Sequence, residues 1–312
     1  MALPHLEGIL VGPTASGKTA VAHEIARQRG WGIVSTDAML VYRGMDIGTA
    51  KPTPAERAEV PYIGLDLVNV DAPCSTALWL DRVYEDMGRI GGNFIAAGGT
   101  GLYVSALLQG LDGQGESDPN LRAELEAVHG AEGLPGLWKR LDEVAPGRRE
   151  ALADPQNPRR VIRAIERAVL GDERRLWSRD DVRGQVVGLE VPREAWDERF
   201  VGRIEAMFAE GLEDEVRSLL AGEAVWSSTA QQAIGYPEVV ALLAGEMDRE
   251  ACVERIRSRT RKLAKKQMTW FRNQLGAHWV PGPTAKAEVA TVANEVLKKW
   301  TEIGTVQLYD RG

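Results

Sequence analysis

Short apolar runs that end in glycine turns alternate, over the first hundred residues, with stretches whose apolar positions recur every three or four residues. EGILVG (7–12) enters a glycine-rich turn and predicts a buried strand. Behind it Val21, Ala22, Ile25 and Ala26 fall at helical spacing, and Gly30 stops the helix. GIVSTD (32–37) predicts a second strand and YIGLDLV (62–68) a third. Residues 75–92 start on Ser75 and Thr76, carry Leu78, Leu80, Val83, Met87 and Ile90, and close on glycine, which predicts another helix. NFIAAGGTG (93–101) predicts a strand running into a turn. Strands and helices that alternate at these lengths imply an α/β fold, with a parallel sheet covered on both faces.

The pattern changes near Asp112. DGQGESDP is a Gly/Asp/Pro linker, and PGLWKRLDEV and PRRVIRAIERAVLG beyond it read as short helices. The next strand signal is QVVGLEV (185–191), and from residue 193 the pattern is mainly helical, with 193–222 as one long amphipathic stretch or two. The organisation predicted is a sheet domain over 1–117 and 185–312 with a helical C-terminal part, interrupted by a helical insertion over 118–184.

Composition is that of a globular protein: 44% hydrophobic and 27% charged residues. Two lone cysteines, Cys74 and Cys252, build no disulfide framework, which implies a reducing, cytoplasmic setting. No apolar run approaches membrane-spanning length, and the opening MALPHLEGILVG lacks the basic start of a signal peptide. The net charge of −7 argues against a polyanionic partner until its distribution is considered. RIRSRTRKLAKKQMTWFR (255–272) holds eight Lys or Arg and no acid, and RRVIRAIER (159–167) four Arg and one Glu. Such stripes suit a polyanion bound on one face, or a solvated helix surface.

The sharpest chemical signal is GPTASGKT, Gly12-Pro13-Thr14-Ala15-Ser16-Gly17-Lys18-Thr19. It fits the P-loop pattern in the required strand-to-helix context, where backbone N–H groups and a helix N-terminus surround phosphates. Lys18 adds a mobile positive charge, and the Thr19 hydroxyl suits Mg²⁺ as the metal ligand. The motif specifies a di- or triphosphate and nothing more. Asp37 ends the second predicted strand, at the sheet edge where ligands gather. Three roles stand for it: a Mg²⁺ ligand, a base that takes a proton from a nucleophile, or a cap for the next turn. Asp46 in GMDIGT raises the same options more weakly. GGTG (98–101) would present the Thr100 hydroxyl to the same crevice, or be a simple turn.

GPTASGKT, DIGTAKP, GGTGLYVSALLQGL, DPQNPRRVIRAIE, QAIGY and AKKQMTWFR, in this order, resemble the tRNA dimethylallyltransferases over residues 8–280. DIGTAKP and AKKQMTWFR carry the likeness, since the phosphate loop is shared by many families. The resemblance implies that the loop holds dimethylallyl diphosphate and that pyrophosphate departs. It implies that the acceptor is the N6 amine of the adenosine on the 3′ side of the anticodon in tRNA, a poor nucleophile that needs a base. It gives the base role to Asp37 and the positioning of the amine to Thr100, with Mg²⁺ as cofactor. Arg203 matches a family arginine that reaches the diphosphate; Arg199, one helical turn away, could serve instead. The anticodon stem-loop would be met by Asp37, Ala38, Met39 and Leu40; by Arg159, Arg160, Val161, Ile162 and Arg163; by Gln232, Gly235 and Tyr236; and by Lys265, Lys266, Gln267, Trp270 and Arg272. Arg and Lys suit phosphates, Gln232 a base edge, and Tyr236 and Trp270 either stacking or core packing.

The sequence departs from the family in DAML (37–40), where relatives have D-S-x-Q: Ala38 and Leu40 remove a hydroxyl and an amide. Pro237 replaces a residue that is usually basic. Three rivals stand beside the tRNA reading. An ATP-binding small-molecule kinase explains the loop and Asp37 but gives the basic stripe no task. A prenyltransferase of free adenine nucleotides shares the chemistry and needs no RNA. A non-catalytic RNA-binding module leaves Lys18, Thr19 and Asp37 unexplained. No apolar helix face is left over in the pattern, which predicts a monomer.

Overall fold

The computed structural model describes residues 5–111, 118–152, 154–171, 186–222, 225–304 and 306. The chain divides into two compact units, residues 1–110 with 179–312, and residues 111–178.

The larger unit is built on a six-stranded, wholly parallel sheet: β1 (His5–Val11), β2 (Gly32–Ser35), β3 (Tyr62–Ile63), β4 (Asn93–Gly98), β5 (Val186–Glu190) and β6 (His278–Pro281). Their spatial order is β3-β2-β4-β1-β5-β6. Helix α1 (Lys18–Arg29) follows β1 directly, and Val21, Ala22, Ile25 and Ala26 are buried against Leu10, Ile33, Ile95 and Val187. The remaining helices of this unit are α2 (Pro54–Glu59), α3 (Thr76–Ile90), α4 (Gly101–Gln109), α7 (Trp196–Ala209), α8 (Leu212–Ala221), α9 (Tyr236–Leu243), α10 (Arg249–Trp270) and α11 (Val289–Ile303). The stretch over 193–222 is two helices, parted at Gly211.

Two sequence expectations differ from the structure. The third strand is two residues long, because Gly64 and Asp66 turn into left-handed backbone (φ 78° and 53°). Asp66 is held there by bonds from Lys51 (2.7 Å) and Arg57 (2.6 Å). The C-terminal part is not all helix, since β6 extends the sheet and lays Trp279 over Gly188 of β5. HWVP is too short and too exposed at this edge to show strand alternation.

The smaller unit contains α5 (Pro119–Val144) and α6 (Pro158–Leu170). Gly133 (φ 67°) breaks α5 just ahead of Pro135, which could not continue an uninterrupted helix. Leu125, Leu137 and Leu141 pack against Val161 and Ile165. Glu166, fully buried on α6, accepts two bonds from Arg122 (2.5 and 2.7 Å) and one from Arg163 (3.3 Å). Burial raises the Glu166 carboxyl, but these guanidinium groups outweigh it and hold it below its ordinary value.

Candidate active site

Strands β1, β2 and β4 of the larger unit end at a pocket of about 330 Å³. β1 delivers the phosphate loop to its floor. Gly17 takes φ 83° and Ala15 φ 60°, so two left-handed residues fold the loop back before α1 begins. The strained Ala15 is braced from outside: Arg199 of α7 donates to Ala15 O (3.1 Å) and to Pro283 O (2.7 Å). One turn later on α7, Arg203 donates to Thr14 Oγ1 (2.9 Å) and Thr49 O (3.4 Å) and lines the pocket.

Lys18 Nζ, buried, donates to Pro13 O (3.2 Å). Burial pulls its pKa down to about 8; the Asp37 carboxylate works against that, and Arg203 adds to it. Burial likewise lowers Arg203, with Asp37 opposing. The pocket therefore holds two desolvated cations facing one carboxylate, an arrangement that an incoming polyanion relieves.

Asp37 stands just past β2. Its Oδ1 accepts the Met39 N–H (3.0 Å). The cap reading of the sequence is thus met by one oxygen, while the side chain still lines the pocket. Thr100, at the N-terminus of α4, accepts the Ala38 N–H on Oγ1 (3.0 Å) and donates its own N–H to Thr36 O (2.9 Å). These two bonds lock the end of β2 to the end of β4, so Asp37 and Thr100 share one rim.

The opposite rim is the segment 46–52. Glu215 of α8 accepts backbone N–H bonds from Asp46 (3.0 Å), Ile47 (2.7 Å) and Gly48 (3.2 Å), and the Tyr236 hydroxyl (2.6 Å). Lys51 is buried and donates to Tyr42 O (2.6 Å), Asp46 (2.5 Å) and Asp66 (2.7 Å). Nothing in LEDEV (212–216) marks Glu215 as the anchor of a loop 167–169 positions away; the structure alone brings it there.

The chain matches the models of two related families. An IPP transferase model covers residues 40–274, and an isopentenyl transferase model residues 7–71. The chain belongs to the tRNA dimethylallyltransferase family. The tRNA dimethylallyltransferase of Geobacter metallireducens is 40% identical over 285 residues, 88% of this chain and 92% of its own length. That of Anaeromyxobacter sp. strain K is 39% identical over 302 residues, 93% and 96% of the two chains. The solved tRNA isopentenylpyrophosphate transferase of Bacillus halodurans superposes with a TM-score of 0.65 at 32% identity, covering 95% of this chain and 98% of its own. A eukaryotic dimethylallyltransferase solved acting on tRNA has the same fold, with a TM-score of 0.76 at 20% identity over 93% of this chain and 77% of its own.

Against that family pattern, several residues expected to meet RNA are placed otherwise. Val161 and Ile162 are buried in the core of the smaller unit, while Arg159 and Arg160 beside them are exposed. Arg163 is tied to Glu166. Tyr236 is fully buried with its hydroxyl on Glu215, so its ring packs and offers no stacking face; Gly235 beside it is buried too. Asp46, a weak candidate for metal or proton chemistry, is the partner of Lys51. Arg272 pairs with Glu190 and lies over Trp279. Trp270 is pressed against Gly101 at the start of α4. Ala38, Met39, Leu40, Gln232 and Gln267 line the pocket with the phosphate loop residues Thr14, Lys18 and Thr19.

The basic stripe of α10 also sorts into two groups. Arg257 and Arg261 share Asp197, and Arg259 pairs with buried Glu238. Arg255, Lys262, Lys265 and Lys266 form no ion pair among the described residues, and all four are exposed. The sequence shows eight cations; the fold leaves half of them outside any ion pair among the described residues.

Proposed function

We propose that this chain transfers the dimethylallyl group of dimethylallyl diphosphate to the exocyclic N6 amine of the adenosine 3′ to the anticodon in tRNA, releasing pyrophosphate. The observation that carries this reading is the meeting, in one pocket, of Lys18 and Arg203 with the Asp37 carboxylate. A phosphate site needs the first two. A carboxylate turned towards the same phosphates would repel them, unless it has a separate task on the acceptor.

In this mechanism the amide groups of residues 14–19, Lys18 and Arg203 bind the diphosphate and take up the charge that grows on it. The adenine nitrogen attacks the allylic C1, a C–N bond forms, the C1–O bond breaks and its electron pair leaves with pyrophosphate. Asp37 receives the N6 proton, and the Thr100 hydroxyl orients the amine. The residues present suit Mg²⁺: Thr19, a hydroxyl residue, lines the pocket, and Ser35 Oγ in the pocket wall is buried with no hydrogen-bond partner. A Mg²⁺ held there would add positive charge against the leaving diphosphate.

The free cations Arg255, Lys262, Lys265 and Lys266 suit the phosphates of an anticodon stem-loop better than a single nucleotide. No helix among the described residues is long and apolar enough to cross a membrane. We read the protein as a cytoplasmic monomer.

Purified protein incubated with labelled dimethylallyl diphosphate, Mg²⁺ and unmodified tRNA should place label on the RNA. Label on AMP and none on tRNA would move the chain to the free-nucleotide branch. Productive turnover of ATP with the isoprenoid donor untouched would overturn the reading altogether.

A further inference from the structure

Gln267 lies in the most basic stretch of the chain, directly after Lys265 and Lys266, yet its side chain turns away from solvent. It is 9% exposed, and both ends of its amide are occupied. Oε1 accepts the Thr14 N–H (2.9 Å), and Nε2 donates to Gly99 O (3.0 Å). Because one partner can only donate and the other only accept, the orientation of the amide is fixed; a flipped amide would lose both bonds.

The two partners belong to the two halves of the pocket. Thr14 opens the phosphate loop and receives Arg203 on its hydroxyl. Gly99 precedes Thr100, which fixes the backbone beside Asp37. The turn at Gly99 has no room for a side chain: a Cβ there would come within 2.3 Å of Gln267 Nε2.

The geometry points to Gln267 as a positioning residue, a clamp that sets the separation between the phosphate loop and the Asp37–Thr100 rim, and not as an RNA contact. The clamp rests on the proposed transfer reaction only for the identity of the step it serves. A displacement of about 1 Å between reacting groups is enough to slow a reaction about a hundredfold, so a lost clamp should act on turnover.

The test uses Gln267→Met, which keeps the length and removes both bonds, and Gly99→Ala, which displaces the amide while leaving the sequence of α10 unchanged. Three quantities are measured on the full chain: affinity for Mg²⁺-pyrophosphate without RNA, affinity for tRNA, and kcat with saturating substrates. Each variant should lose about tenfold or more in pyrophosphate affinity and in kcat, with tRNA affinity within about twofold of wild type. The double variant should be no worse than the poorer single one, since both break the same link. Weakened tRNA binding with unchanged pyrophosphate affinity would make Gln267 an RNA contact and overturn the clamp. So would two variants indistinguishable from wild type. If Gln267→Met fails to fold, Gly99→Ala decides alone. Should wild type bind pyrophosphate yet transfer nothing to tRNA, the proposed function fails, and pyrophosphate affinity still decides for or against the clamp.

Discussion

Arg203 donates to the Thr14 hydroxyl at 2.9 Å, joining α7 to the phosphate loop across 189 positions of sequence. The sequence offers two arginines for this place, and the fold gives them different work: Arg203 faces the pocket, while Arg199 holds Ala15 and Pro283 from behind. Arg203→Met should weaken pyrophosphate binding by about ten- to a hundredfold, the worth of a charged hydrogen bond of about 1.5–3 kcal/mol. Arg199→Met should instead lower thermal stability, by about 1–3 kcal/mol, through the unbraced left-handed Ala15. Calorimetric titration and thermal melts on both variants separate the roles; a reversed pattern would exchange them.

Asp37→Asn keeps the shape of the side chain and its bond from Met39. Removing a general base costs about 10²–10⁴ in rate. Single-turnover transfer should fall within that range, with pyrophosphate and tRNA affinities near wild type. Retention of more than a tenth of the rate would rule Asp37 out as the base.

Lys18 makes diphosphate binding depend on pH. In the empty pocket burial lowers its pKa to about 8, so its charge is lost as pH rises through that value. Affinity for pyrophosphate should therefore decline above pH 8, and binding near pH 8 should draw a proton onto the lysine. Titrations in buffers of different ionisation enthalpy would measure that uptake as the difference between wild type and Lys18→Met, which cancels the ligand's own protons. Stability runs the other way. The folded pKa lies below the unfolded value of 10.5, so the unfolded chain binds more protons between about 8 and 10.5. The empty protein should gain stability as pH rises through that window.

Replacing Lys265 and Lys266 by Gln should reduce the slope of log affinity for tRNA against log salt by about 1.4–1.8, since each contacted phosphate contributes about 0.7–0.9. Replacing Arg257 and Arg261, which already share Asp197, should change that slope far less. Equal effects of the two pairs would mean that total charge, and not the free cations, governs binding.

Glu215→Ala removes the acceptor of three backbone N–H groups and of the Tyr236 hydroxyl. Unpartnered buried donors cost about 1–3 kcal/mol each, although water will reach the more exposed ones. A stability loss of about 2–4 kcal/mol is expected in chemical denaturation, together with faster amide exchange over residues 46–48. Unchanged exchange there would show that the rim holds without its anchor.

The parts of this site that are legible in the sequence are those whose chemistry is local. The phosphate loop is read because Gly12, Gly17, Lys18 and Thr19 act through backbone turns and one helix start, all within eight residues. Asp37 and Thr100 are found because both follow apolar runs that end at the same sheet edge. The inward bonds of Gln267 gave no comparable signal, since what its side chain meets depends on segments far away in the chain. The buried Tyr236 and the paired Arg257 and Arg261 show the opposite error: a residue type suited to RNA says nothing about whether the fold has already used it.

By itself the sequence determined the alternation of strands and helices, the phosphate loop and the family, because periodicity and short motifs are properties of neighbouring residues. Only the tertiary structure decided which arginine faces the pocket, which cations of α10 stay free, and that Gln267 joins Thr14 to Gly99. Those outcomes depend on desolvation and hydrogen-bond geometry between residues scores of positions apart, and they exist only once the sheet has brought its strand ends together.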